Sequence, residues 1–403
     1  MTAPKLRFKE FDGDWLPYVL KDFVSFRKGK GISKADISED GINECIRYGE
    51  LYTTYGQVIR KVQSKTYVSK SECVLSQAGD VLIPASGETQ IDIATASGVL
   101  KGDVILSGDL NILSHKENGE WLAYYLSSAK KLDIAQLAQG NSVVHLYSSQ
   151  LKDLKINKPS KAEQTKIASF LSAVDEKISQ LTKKHQLLSQ YKQGMMQKLF
   201  SQQLRFKADD GREFGEWEDK PLNEIASKRS GKNKDGSISE VLTNSATQGI
   251  IKQSDYFERE IVTESNLNGY YIVNLDDFVY NPRISVHAPV GPIKRNKKCL
   301  GVMSPLYTVF TVSEGNLAYL EYFFDSNFWH DYVKGVANSG ARHDRMNITN
   351  KDFFDMPIFY PCLEEQTKIA NFLSSIDQKI EVVAQQIEQA KTWKKGLLQQ
   401  MFV

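Results

Sequence analysis

The chain has 403 residues, 41% hydrophobic and 25% charged, with a formal net charge of +2. Such usage is ordinary for a globular chain of two or three domains, and near-neutrality leaves any polyanion partner to be argued from local clusters. No run of about 18 apolar residues could span a membrane, and the opening Met-Thr-Ala-Pro-Lys-Leu-Arg has no signal-peptide core. Cys45, Cys73, Cys299 and Cys362 lack metal-ligand spacing, so a cytoplasmic protein with reduced, incidental thiols is expected.

In chain order, residues 1–158 read as a first domain with a short lead, Leu6-Arg7-Phe8-Lys9 and Trp15. Short β-favouring runs at 58–59, 73–75, 80–83 and 104–106, broken by Gly, Asn and Asp, predict strands, and 121–128 predicts one helix. Basic residues cluster at Arg27, Lys28 and Lys30 around Gly29, and at Arg60 and Lys61. Residues 159–203 predict a long helix, with Ser160-Lys161-Ala162-Glu163 in capping-box form. Its apolar stripe, including Ile167, Leu171, Val174, Ile178, Leu181 and Leu188, advances mostly in steps of three and four.

The chain then says the same thing again. Gln164-Thr165-Lys166-Ile167-Ala168 returns as Gln366-Thr367-Lys368-Ile369-Ala370, an offset of 202 residues, and over 164–178 against 366–380 eleven of fifteen positions are identical. Trp15 answers Trp217 and Arg27-Lys28-Gly29-Lys30 answers Arg229-Ser230-Gly231-Lys232 at the same offset. Residues 204–360 therefore read as a second domain with its own lead. Strands are expected at 270–273 and 307–312, and a helix over 317–328. Residues 80–82 match 277–279, and 110–113 match 306–309. Basic residues recur at Arg229, Lys232, Lys234, Lys294, Arg295, Arg342, His343 and Arg345. Residues 361–403 repeat the long helix, with Ile369, Leu373, Ile376, Ile380, Val383 and Ile387 in the stripe.

A helix of about 39 residues is about 58 Å long at 1.5 Å per residue, too long to bury its stripe on one small domain. Two copies of one stripe predict an intramolecular coiled coil, antiparallel if a twofold axis relates them. The fold class expected is α+β, two pseudo-repeated domains separated by an antiparallel two-helix coiled coil. Gly194 and Gly396, kept at equivalent helix positions, suggest close approach of another backbone, with an inherited neutral Gly as the alternative.

No catalytic constellation survives inspection. Tyr280-Asn281-Pro282-Arg283 is similar to the Asn-Pro-Pro-aromatic motif of amino methyltransferases, but Arg283 replaces the second Pro and no glycine-rich cofactor loop precedes it. Gly29-Lys30 and Gly231-Lys232 lack the spacing of a phosphate loop, and no zinc, triad or paired-carboxylate pattern occurs. What remains is binding: glycine beside Arg and Lys suits a loop that approaches phosphates while nearby side chains read bases.

The doubled Pro159…Glu163-Gln164-x-x-Ile167-Ala168…Leu171…Asp175-x-Lys177-Ile178 and Pro361…Glu365-Gln366-x-x-Ile369-Ala370…Leu373…Asp377-x-Lys379-Ile380, each heading a long helix, resembles the specificity subunits of type I restriction-modification systems. The resemblance spans essentially the whole chain. It implies two target-recognition domains held apart by the coiled coil, each reading one half of a bipartite, asymmetric double-stranded DNA sequence. The basic residues above are candidates for that contact, and the helix stripes for coil formation and subunit docking. It further implies a non-catalytic chain without cofactor, partnered by two modification subunits that use S-adenosylmethionine to methylate adenine, and by restriction subunits that use ATP and Mg. The competing readings are a coiled-coil scaffold whose domains bind other proteins and a self-contained nuclease-methyltransferase, the latter disfavoured by length and missing motifs.

Overall fold

The computed structural model describes residues 3–140, 142–256, 264–338 and 344–402. They form two compact units, Met1–Lys183 joined by Ala384–Val403, and Lys184–Val383. The long helices Lys161–Phe200 and Leu363–Gln400 are each divided between the units. Each unit thus contains one β-rich body, the opening turns of one long helix and the closing turns of the other, the antiparallel pairing expected from the repeated stripe.

In the first unit a five-stranded sheet runs in the order Ser25–Lys28, Leu110–Ser114, Val81–Pro84, Ser97–Val99, Val58–Ile59. Only the last pair is parallel. Alternate side chains of a strand point to opposite faces, and here both faces are covered. Val81, Ile83 and Leu113 enter a core with Trp15, Trp121 and the first long helix, while Leu82, Leu110 and Ile112 enter a second core with Ile46 and Val99. The second unit repeats this in a four-stranded antiparallel sheet, Ala226–Lys228, Thr308–Val312, Phe278–Tyr280, Ile293–Arg295. Phe278, Tyr280 and Phe310 face the helices, and Val279 and Val309 face the other way.

Register fixes the equivalences. Val81 stands opposite Leu113 and Phe278 opposite Phe310, so 80–82 does match 277–279, at an offset of 197 (278 minus 81). The expected match of 110–113 to 306–309 is one residue short. The partners are 307–310, because a slip of one residue would turn every side chain of the strand to the wrong core.

The expected body helices are Gly119–Ser128 and Leu317–Asp325, but each body holds more than the one helix expected, among them Lys131–Leu137 in the first and His330–Val336 and Asn350–Phe354 in the second. Asn118 and Asn316 cap the expected two, each side chain accepting main-chain N–H groups of the first turn. Leu317–Asp325 ends short of the expected 328. Ser326 N–H closes on the carbonyls of Tyr322 and Phe323, and Phe328 folds back onto Phe200 and Phe359.

The long-helix stripe is not a coil seam throughout. Ile167, Leu171 and Val174 are buried in the core of the first unit beside Trp15 and Trp121, together with Leu397, Met401 and Phe402 from the end of the second helix. Ile369, Leu373 and Ile376 play the same part in the second unit, with Met196, Leu199 and Phe200. A docking role for these six residues is corrected: they are sealed inside their own unit, because each helix opens by lying on the body that precedes it. Ile178 and Ile380 are half-buried at the edges of these cores. Leu181, Val383 and Ile387 are buried and Leu188 is half-buried, as coil positions should be.

Gly194 and Gly396 are also corrected. A Cβ built at either position meets nothing within 4 Å, so no close backbone approach requires glycine there. Gly194→Ala and Gly396→Ala should each stabilise the chain by up to about 1 kcal/mol, read as a rise in the urea midpoint at unchanged slope; a fall would show contacts that the bare backbone hides.

Burial pushes the imidazoles of His115 and His330 below the ordinary value near 6.5, in His115 against the opposing pull of Asp80 and Glu117. The unfolded chain then binds protons that the folded one refuses, so this contribution is intact above about pH 6.5 and is lost as pH falls through the window below it. Melts at pH 7.5 and 5.5 should show destabilisation at the lower pH, and His115→Gln should reduce the difference for the first unit.

Candidate nucleic-acid interface

The doubled motif is a latch between body and helix, built identically in each unit. Glu163, only 2% exposed, receives two hydrogen bonds of 2.8 Å from the Arg7 guanidinium and one of 3.3 Å from Trp15 Nε1. Glu365, fully buried, receives the same from Arg205 (3.1 and 2.8 Å) and Trp217 (2.9 Å). Each arginine also holds a loop carbonyl, that of Gly13 or Gly215, and its pairing with the glutamate raises its already high pKa. The expected capping box is therefore half made. Ser160 Oγ accepts the Glu163 N–H at 3.3 Å, but the Glu163 carboxylate goes to Arg7 and Trp15, since a charged bidentate pair outweighs one neutral main-chain bond.

Gln164 and Gln366 complete the latch. Each accepts the N–H of the capping asparagine, Asn118 or Asn316, and donates to the carbonyl of Pro159 or Pro361. Further along, Asp175 accepts from Tyr124 Oη (2.6 Å) and pairs with Lys394 of the other helix (2.6 Å). Asp377 accepts from Tyr322 Oη (2.7 Å) and pairs with Lys192 (2.7 Å). Burial, then the neighbouring carboxylate, drives both phenols well above their usual range. One aspartate in each unit thus ties a body helix to both long helices.

Against this frame the candidate basic residues separate. Arg27 spends its donors on Asp80 (2.5 Å), Ser114 Oγ and the carbonyl of Leu75. Arg229 pairs with Asp277 at 2.7 Å, and burial raises the Asp277 carboxyl despite that partner. Both arginines cross-brace their own sheets, with side chains 30% and 32% exposed. Lys294 is taken by Asp325, Arg295 by Asp276, and Arg60 by Glu120 at 3.0 Å. Gly29 is held by packing: its N–H and that of Lys30 are bonded to the carbonyls of Leu110 and Leu106, and a Cβ there would collide with the carbonyl of Ser107. That loop has no main-chain donors at these positions to offer a phosphate.

Lys28, Lys30, Lys61, Lys232 and Lys234 are exposed, and none of them carries an ion pair among the described residues. Among the described residues the one ion-pair partner of Arg345 is Asp344, at 3.4 Å. Arg342 and His343 lie outside the described residues. Among the described residues no three His, Cys, Asp or Glu side chains cluster as metal ligands, and no helix is long and apolar enough to cross a membrane. The surface that these candidates leave for a polyanion is therefore mainly lysine, with Lys28 on the edge strand Ser25–Lys28 and the others outside the two braced sheets.

The model of the type I restriction modification DNA specificity domain matches the chain twice, over residues 12–189 and 215–392. The chain belongs to this family. It is similar to the type I restriction enzyme MjaVIII specificity subunit of Methanocaldococcus jannaschii, 26% identical over 97% of this chain and 94% of that one. A putative MjaX specificity subunit of the same organism is 29% identical over 74% and 71%. Among solved structures, the S subunit from M. genitalium superposes with a TM-score of 0.60 at 15% identity, covering 100% of this chain and 99% of that one. A chain from a structural study of complex assembly and conformational transition in the type I R-M system gives 0.54 at 16%, covering 96% and 97%. These likenesses carry the fold: two domains of mixed helix and strand with long helices between them.

The specificity subunit is thus a non-catalytic component of a type I restriction-modification system, and its two repeats are DNA target-recognition domains. The scaffold reading is not favoured by this match. No spacing in the sequence marks Ser86 and His145, and Arg283 stands out there only as a departure from a methyltransferase motif. The equivalence of the two sheets is what brings these residues forward.

Proposed function

We propose that the specificity subunit reads a bipartite, asymmetric double-stranded DNA target, one half-site through the body of residues 1–158 and the other through 204–360. The observation that carries this is the contrast between latch and loops. Glu163/Glu365, Gln164/Gln366 and Asp175/Asp377 make the same bonds in both units, whereas the loops around the equivalent sheets differ in sequence. A common frame with different loops suits two different half-sites. The exposed lysines supply phosphate contacts that set position and salt dependence.

On this reading the long helices, 159–203 and 361–403, dock two modification subunits that methylate adenine with S-adenosylmethionine. Restriction subunits using ATP and Mg join them in the cytoplasm. The test is an adenine-methylation map of DNA from cells expressing the modification subunit with and without this chain. Loss of one gapped, asymmetric motif in its absence is the expected result, and an unchanged map would remove the directing role.

A further inference from the structure

After the equivalent strands Val81–Pro84 and Phe278–Tyr280, the chain enters aligned segments, 85–96 and 282–293, in which no aligned residue is identical; the second closes on the first residue of the strand Ile293–Arg295. Both segments begin on the same main-chain bond. Leu146 N donates to Ala85 O at 3.0 Å, and Met346 N donates to Pro282 O at 2.9 Å. The next residues face a second segment across an antiparallel bridge: Ser86 opposite His145 in the first unit, Arg283 opposite Arg345 in the second. One position in the fold therefore carries a neutral hydrogen-bonding pair in one domain and two guanidinium groups in the other.

The local chemistry differs accordingly. Ser86 Oγ lies 3.2 Å from His145 Nδ1, and the imidazole stacks on the exposed Tyr147 ring. Arg283 is exposed and has no ion pair among the described residues. Arg345 is 20% exposed, its only ion-pair partner among the described residues is the exposed Asp344, and its Nε is buried without a partner. Like charges directly opposite on neighbouring strands repel, and among the described residues the carboxylate that offsets this repulsion is that of the exposed Asp344. The two arginines border a cleft of about 90 Å³ with Asn281, Ser304 and Tyr307. Val286, 96% exposed, stands near the tip of the same loop.

We propose that these equivalent positions are base-reading pairs, Arg283 with Arg345 for guanine in the half-site of the second unit, and Ser86 with His145 for a different base in that of the first. The proposal rests on the DNA-reading function above. An arginine fork matches the O6 and N7 acceptors of guanine in the major groove, whereas serine and histidine offer single donors or acceptors. Phosphate would also attract two arginines. Phosphates, however, are the same in both half-sites, so a phosphate clamp gives no reason for the two domains to differ here while sharing the sheet beneath.

The test uses the full chain assembled with its modification subunits on a duplex library randomised over both half-sites, with methylation read by sequencing. Arg283→Ala and Arg345→Ala should lose discrimination at a G:C pair in one half-site by about 5- to 150-fold, the range of a bidentate arginine–guanine contact, and leave the other half-site unchanged. Arg345→Lys keeps the charge but not the fork and should lose the same discrimination while non-specific DNA affinity persists. Because Arg283 is exposed and Arg345→Lys is conservative, these two carry the test if Arg345→Ala fails to fold. A uniform loss over all sequences with a shallower salt dependence would make the arginines phosphate contacts and overturn the proposal. So would altered preference in both half-sites, or none in either. If the unaltered complex methylates without sequence preference, the function it rests on falls with it.

Discussion

Glu365→Ala is expected to destabilise the second unit by about 3–5 kcal/mol, the cost of leaving one partner of a buried ion pair without the other. Arg205 would keep its charge at 20% exposure with only the loop carbonyls of Phe214 and Gly215, and the indole N–H of Trp217 would lose its acceptor. For a unit of this size that amounts to a fall in Tm of about 6–20 °C. Glu163→Ala should do the same to the first unit through Arg7 and Trp15. Replacing the pair together, as Glu365→Leu with Arg205→Met, should recover most of the loss, because the large term is the stranded charge and not the pair itself. By comparison, Lys192→Ala and Lys394→Ala remove ion pairs whose aspartates are 41% and 33% exposed, and each should cost no more than about 1 kcal/mol. Scanning calorimetry of the glutamate variants decides the matter. Unchanged melting of Glu365→Ala would mean that the latch is not a stabilising element.

Exchange of residues 216–360 for the corresponding body of another specificity subunit should replace one half-site and leave the other intact. With each mismatched base pair costing about 1–3 kcal/mol, the hybrid should prefer its new target over the old by about a thousandfold or more when several pairs differ. The latch sets a condition on the graft. The incoming body must supply equivalents of Trp217, Asn316 and Tyr322, which bond to Glu365, Gln366 and Asp377 of the retained helix. A graft that folds, directs methylation and changes both half-sites would contradict the division of labour between the domains. A graft lacking only the tyrosine equivalent of Tyr322 should fold less stably and read the same sequence.

The long helices were legible because their signal is local: steps of three and four over forty residues, with capping residues ahead. The body helices expected at 121–128 and 317–328 were legible for the same reason, although the second ends at Asp325, and their capping asparagines stand at equivalent places. The strands were legible as runs, but their pairing was not. The one-residue error in matching 110–113 to the second body arose because an apolar run buried on both faces has no alternation to fix its phase. The site fared differently again. Arg27 and Arg229 look in sequence like the head of a basic loop, yet each is bound to an aspartate brought alongside by strand register. Lys28 and Lys232, one and three residues further on, remain exposed.

By itself the sequence determined the duplication, the two long helices and the family, because identical tails carry identical side chains at an offset of 202 residues. It did not determine what those side chains do. Glu163 opens a helix in the sequence and anchors an arginine and a tryptophan from the lead in the fold. Ile167 and Leu171 are coil positions by spacing and core residues by burial. Whether a cation is free, a carboxylate buried or a stripe covered depends on residues far away in the chain that only sheet register and helix packing bring into contact. That is why composition and period disclosed the architecture, while the division between ion-paired and unpaired cations was decided by the tertiary structure.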